Sequence, residues 1–189
     1  METDEFWNII ETARSHTGEG RVFDEALVDV LADRCKQDIM EYQECFDELH
    51  GAIGRWDVWA AAYLIGGGCS DDSFMDFRAG LIALGRQWYE RAAAAPDRLA
   101  EHPMVITAAP NGDYVLFYET VNYASAYAFK QITGDEEDFC EAWDQHCAAR
   151  PGSERDSVDM GEDFDFDDPE EMHRRLPRLA ALYLRPAKA

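Results

Sequence analysis

Between Arg55 and Arg91 the chain reads RWDVWAAAYLIGGGCSDDSFMDFRAGLIALGRQWYER, two apolar helical patterns separated by three consecutive glycines. Residues Trp56 to Ile65 are apolar on nearly every side, which only a helix buried in a core tolerates, and Ala60, Ala61 and Ala62 permit close packing around it. The glycines end this fourth helix. Ser70 is placed to cap the next one, with Asp71 and Asp72 in its electropositive first turn. The spacing predicts a long fifth helix reaching Ala94. At 100° per residue, Phe74, Phe77, Leu81, Leu84 and Trp88 form its core stripe. A second stripe of Asp71, Met75, Arg78, Ile82 and Tyr89 brings charge to the edge of that apolar face.

The flanking sequence is helical in the same sense. Thr3 is read as the cap of a first helix over Phe6, Ile9, Ile10 and Ala13, ending near Ser15. Asp24 opens a second over Leu27, Val28, Val30 and Leu31. A third runs from Asp38 to His50 over Ile39, Tyr42, Phe46 and Leu49. Pro96 begins a short helical turn that stops before Pro103. Met104 to Phe117 reads as a loop, the alternative being a hairpin about Asn111-Gly112, which alone would be marginal. From Tyr114 to Ile132 helical spacing returns until Gly134, and Asp135 or Glu136 opens a helix running to Ala148. Residues 151–161 are expected to be a mobile surface loop. Asp163, Asp165 and Asp167 start like a calcium loop, but Asp168 and Arg174 stand where that loop needs glycine and glutamate. Asp168-Pro169-Glu170-Glu171 reads instead as the start of a last helix, with Pro177 shortening or kinking it. The expectation is therefore an all-α single domain over 1–189, of eight or nine helices around a buried central pair, the hairpin being its one minor alternative.

Charge excludes one large class of function. With 39 acidic against 17 basic residues and a formal charge of −22, the chain lacks the phosphate-neutralising balance that nucleic-acid binding requires. No stretch approaches the length of a membrane span, and the acidic start METDEFWNII is unlike a secretory signal, so a cytoplasmic location is expected. Cys35, Cys45, Cys69, Cys140 and Cys147 show no CxxC spacing, and the histidines form no metal motif, so no disulfide framework, metal or cofactor is implied.

The candidate ligand-binding residues are Trp56, Asp57, Cys69, Ser70, Asp71, Asp72, Arg78 and Arg86. Carboxylates and guanidinium groups together can orient a small polar ligand, and equally can neutralise one another as an ion-pair network between helices. Cys69, near a helix start, reads better as a packed thiol than a nucleophile, since Asp71 and Asp72 oppose a thiolate. The glycines do not form a phosphate loop: GGGCSDD lacks its lysine, and its aspartates repel phosphate. Two function classes remain. One is a non-catalytic binding or regulatory protein, an antagonist of a basic protein partner. The other is a small-molecule enzyme with Asp57 or Asp71 as acid/base and Arg78 as an electrostatic clamp. Oligomeric state is not legible.

The block WDVWAAAYLIGGGCSDDSFMDFRAGLIALGR resembles the bacterial family filed as domain of unknown function 4240. Phe6-Trp7 with Ile9-Ile10, Ala95-Pro96-Asp97 with Leu99, and Pro177-Arg178-Leu179 extend the similarity over most of the chain. The resemblance implies a mostly helical cytoplasmic protein and no chemistry. Gly80 stands where the family's tryptophan is expected, which predicts different packing at the middle of the fifth helix.

Overall fold

Apolar residues at helical spacing, punctuated by glycine and proline, produce a helical chain. The computed structural model describes residues 1–18, 21–134, 137–149 and 159–184. In chain order the helices are α1 (Thr3–Ser15), α2 (Phe23–Ala32), α3 (Lys36–Ala52), α4 (Trp56–Gly66), α5 (Asp71–Ala83) and α6 (Arg86–Ala94). A 3-10 turn (Pro96–Glu101) leads to α7 (Pro103–Ala108), and a second one (Glu119–Tyr123) leads to α8 (Ala124–Thr133). Then come α9 (Phe139–Ala148), α10 (Pro169–Arg175) and α11 (Pro177–Tyr183). No strand occurs among the described residues, so the all-α expectation holds, with more and shorter helices than the eight or nine expected. The predicted loop lies almost wholly outside the described residues, as do the proposed helix openers Asp135 and Glu136; the cap of α9 is Asp138, which accepts from the Glu141 amide.

The first three helices and α8 build one side of the core, α2 lying against both α1 and α8, and α3 against α8. Phe6, Ile10, Leu27, Leu31, Ile39 and Phe129 are buried there. The other side forms where α11 covers α4 and the first 3-10 turn. Helix α4 is buried as read, through Val58, the three alanines, Leu64 and Ile65. Helices α4 and α5 meet where the Trp59 ring stacks on Phe74, centroids 4.8 Å apart. They are less a central pair than expected, since α5 packs more extensively on the Glu119–Tyr123 turn.

Three element boundaries depart from expectation, each for a tertiary reason. The long fifth helix is broken at Gly85, whose φ of +86° is open to glycine and whose Cβ position lies 2.3 Å from the Glu11 carboxylate. Glu11 then accepts the Arg86 amide at 3.3 Å, so a side chain of α1 starts α6. After this break Tyr89 is buried, its hydroxyl donating to Leu49 O at 2.7 Å, while the expected core residue Trp88 is half-buried. Residues 103–108 are helical where a loop or hairpin was expected: His102 Nδ1 accepts the Met104 amide at 3.2 Å, and Pro103 takes the first helical position. The helix expected from Tyr114 begins later, because residues 114–118 cross α5 and Tyr118 donates its amide to Asp76 O at 3.1 Å. Smaller shifts occur at three starts: Glu2, not Thr3, is the cap of α1, and α2 and α3 open at Phe23 and Lys36.

The crossing depends on Gly80. A Cβ there would lie 1.9 Å from Leu116 O, so no side chain, tryptophan least of all, is compatible with this path. Leu116 is buried at φ +71° to make the crossing.

Candidate functional site

The residues nominated from sequence are dispersed by the fold into separate roles. Trp56 and Trp59 stack at 5.4 Å, Trp59 continues onto Phe74, and the Arg78 guanidinium lies 4.8 Å above the Phe74 ring. Arg78 Nη1 donates to His50 O at 3.0 Å, and its Nε is buried without a partner among the described residues. It does not meet Asp71, whose side chain, like that of Asp72, is exposed at the start of α5 and pairs with no described residue. Asp57 accepts both Nε and Nη2 of Arg55, and that guanidinium also reaches Ala93 O at 2.7 Å. Arg86 is a surface residue between Asp4 and Glu90. No ion pair joins Asp57, Asp71, Arg78 and Arg86 to one another among the described residues, and none of them lines the clefts described below.

Ser70 caps α5 as its position suggested, accepting the Ser73 amide at 3.2 Å. Cys69 contributes its carbonyl to Trp59 Nε1 at 3.0 Å. Burial pushes its thiol up to about 11, the Trp59 contact opposing and Asp76 reinforcing the shift. The thiolate needed of a nucleophile is therefore disfavoured near neutrality.

The acidic run is tied to α4 through its phenylalanines. Phe166 meets the rings of Trp56, Trp59 and Tyr63, Tyr63 hydroxyl donates to Asp167, and the Trp56 amide donates to Met160 O at 3.0 Å. Asp165 accepts the Asp167 amide, and Asp168 accepts those of Glu170 and Glu171. These carboxylates organise a turn and a helix start. No group of three or more metal-ligating side chains is gathered among the described residues.

The fold opens clefts elsewhere. One, of about 690 Å³, is lined by Arg14 from the end of α1, Asp24 from α2, Leu84 at the helix break, His102 capping α7, Met104 within it, and Phe117 to Thr120 at the end of the crossing. A second, of about 610 Å³, is lined by Arg21, Asp24, Glu25, Val28, Asp29, Thr120 and Tyr127. Arg14 is anchored by Nη1 on Ala83 O at 2.7 Å and by Nε beside Glu11 at 3.2 Å. Burial, and then Arg14, lower the His102 pKa, so its ring is neutral at neutral pH. With Nδ1 committed to the Met104 amide, Nε2 carries the proton, and the imidazole offers a donor instead of a base. Burial raises Tyr118, with Arg14 opposing and Asp24 reinforcing, so its hydroxyl stays protonated. The first cleft can therefore hold and orient a ligand, but it offers no ready general base at His102 or Tyr118. Sequence reasoning missed these residues because they come from five separate segments; His102 before Pro103 was the one local signal.

A family model described as a protein of unknown function (DUF4240) matches residues 1–131. The chain belongs to this family. No curated protein and no solved structure matches it. The DUF4240 match contains the block from Arg55 to Arg91 and every lining residue of both clefts, and ends before α9 and the acidic run. No helix among the described residues is long and apolar enough to cross a membrane.

Proposed function

We propose that this DUF4240 protein is a non-catalytic binding protein whose acidic surface engages a basic protein partner, as a regulator or antagonist of that partner. The observation that carries the reading is how the surface charges are distributed. Arginines are already met by carboxylates: Arg34 by Glu5, Arg86 by Asp4 and Glu90, Arg55 by Asp57, and Arg175 by Glu162 and Glu171. Exposed acids are left over, among them Glu25, Asp33, Asp71, Asp72, Glu119 and Asp163, none of which pairs with a described basic side chain. A negative field of this kind accelerates encounter with a cationic partner and rejects anionic ones. Cytoplasmic residence is part of the same proposal. The alternative, an enzyme using Asp57 or Asp71 with Arg78, has less support, because these groups face different partners and Cys69 is held as a thiol.

The test is titration of the folded protein with a lysine-rich peptide and with its glutamate counterpart over a series of salt concentrations. Binding of the lysine peptide alone, weakening by about tenfold or more from low to physiological salt, is the expected result. Equal affinity for both peptides, or none for either at low salt, would refute the reading.

A further inference from the structure

The two clefts at α2 adjoin, sharing Asp24 and Thr120 in their walls, and are taken together as one trough. With volumes of about 690 and 610 Å³, they provide room for several residues of an extended chain.

Two independent features describe the occupant. The first is charge. Arg14 pairs with Glu11, and Arg21 pairs with Asp29, while Asp24, Glu25 and Glu119 have no basic partner among the described residues. The trough therefore presents surplus carboxylate and no surplus guanidinium. The second is apolar exposure. Seven large hydrophobic side chains are exposed among the described residues, and three of them line this trough: Val22 at 53%, Met104 at 38% and Tyr127 at 50%. Apolar groups held open beside uncompensated acids suit a ligand that is cationic and apolar at once. A phosphate-bearing or lipid headgroup ligand is repelled by the acids, and a bare polyamine leaves the apolar walls in water.

We propose that the trough along α2 docks an extended segment of a basic protein, its lysine or arginine side chains meeting Asp24, Glu25 and Glu119 while interleaved apolar side chains cover Val22, Met104 and Tyr127. This placement rests on the reading that the partner is basic. It locates the docking on the side of the molecule formed by α1, α2, α7 and the crossing segment, where the block that dominates the sequence contributes only Ala83 and Leu84. Hydroxyls of Tyr118 and Thr120 and the Nε2 proton of His102 are available to the peptide backbone of the bound segment.

The experiment is fluorescence anisotropy at low salt with a labelled twelve-residue peptide alternating lysine and leucine, beside a lysine–serine peptide and spermine. The wild-type protein is expected to bind the lysine–leucine peptide about tenfold or more tighter than the other two probes. The combined substitution Asp24→Asn, Glu25→Gln and Glu119→Gln is expected to weaken it by about tenfold. Tyr127→Ala, at a half-exposed side chain whose loss leaves the core intact, is expected to weaken it by about threefold. An equal number of neutralised acids outside the trough, the exposed Glu2→Gln, Glu48→Gln and Glu170→Gln, should change affinity by less than about twofold. Equal loss in the two neutralised proteins, or equal binding of all three probes, would overturn the trough and leave a diffuse basic-partner reading standing. No binding of any cationic probe by the wild type would overturn both.

Discussion

Gly80 shows how a single missing side chain directs a chain path. Its Cβ position lies 2.7 Å from the Leu116 carbonyl carbon as well as 1.9 Å from the oxygen, and these are backbone atoms held by the Tyr118 to Asp76 hydrogen bond. Gly80→Ala is expected to cost about 3 kcal/mol or more, above the usual range for overpacking because backbone must move. Gly51→Ala, in α3 with open space around the Cβ position, should instead stabilise by about 0.5 to 1 kcal/mol. Urea unfolding of the two variants checks this pair; a Gly80→Ala loss comparable to a surface substitution would place the crossing segment further from α5. His50 is informative for a different reason. Its ring stacks on Phe46, with centroids 5.4 Å apart, and Nε2 donates to Met75 O at 2.9 Å. Burial first, and Arg78 second, hold its pKa down to about 4, against about 6.5 in the unfolded chain. The unfolded state therefore binds this proton more readily. The stability that neutral His50 contributes is complete above pH 6.5 and is lost as pH falls from there through about 4. Between pH 7.5 and pH 4.5 the wild type should lose about 1 to 3 kcal/mol more than His50→Gln, read from unfolding curves at the two pH values. Parallel curves would mean that the imidazole is protonated as easily in the fold as in water.

At the scale of elements, regularity was legible and interruption was not. The core stripe of α5 is buried at Phe74, Phe77, Leu81 and Leu84 as its spacing required. The stripe fails at Trp88, because Gly85 and the Glu11 carboxylate reset the register with no change in local apolar content. The capping residues Ser70 and Asp168 were readable because capping is a contact between neighbours in sequence. The attachment of the acidic run was not readable, since the rings that hold Phe166 lie about a hundred residues earlier in the chain. Phe166→Ala should remove that attachment, costing about 1 to 2 kcal/mol for a half-buried ring. Hydrogen exchange at the Trp56 amide, bonded to Met160 O, should accelerate with it. Unchanged exchange there would show that the backbone contact holds the run without the ring.

For the whole molecule, the charge of −22 was the one property that led directly from composition to an expectation about partners, a poor match to nucleic acid. It acts through the summed field and so does not depend on where each carboxylate sits. Location, however, decides where a partner can be held. Asp71 and Asp72 sit in the most distinctive stretch of the sequence yet stand in the open, whereas Asp24, in an unremarkable helix start, lines two adjoining clefts. Helical class, the buried α4 and the caps of α5 and α10 were determined by the sequence itself, because each depends on short-range spacing. The break at Gly85, the crossing over Gly80, the separation of Arg78 from Asp71 and the union of five segments around Arg14 and His102 were decided only in three dimensions. Each of these is a contact between groups far apart along the chain, whose geometry is set by packing and not by neighbouring residues.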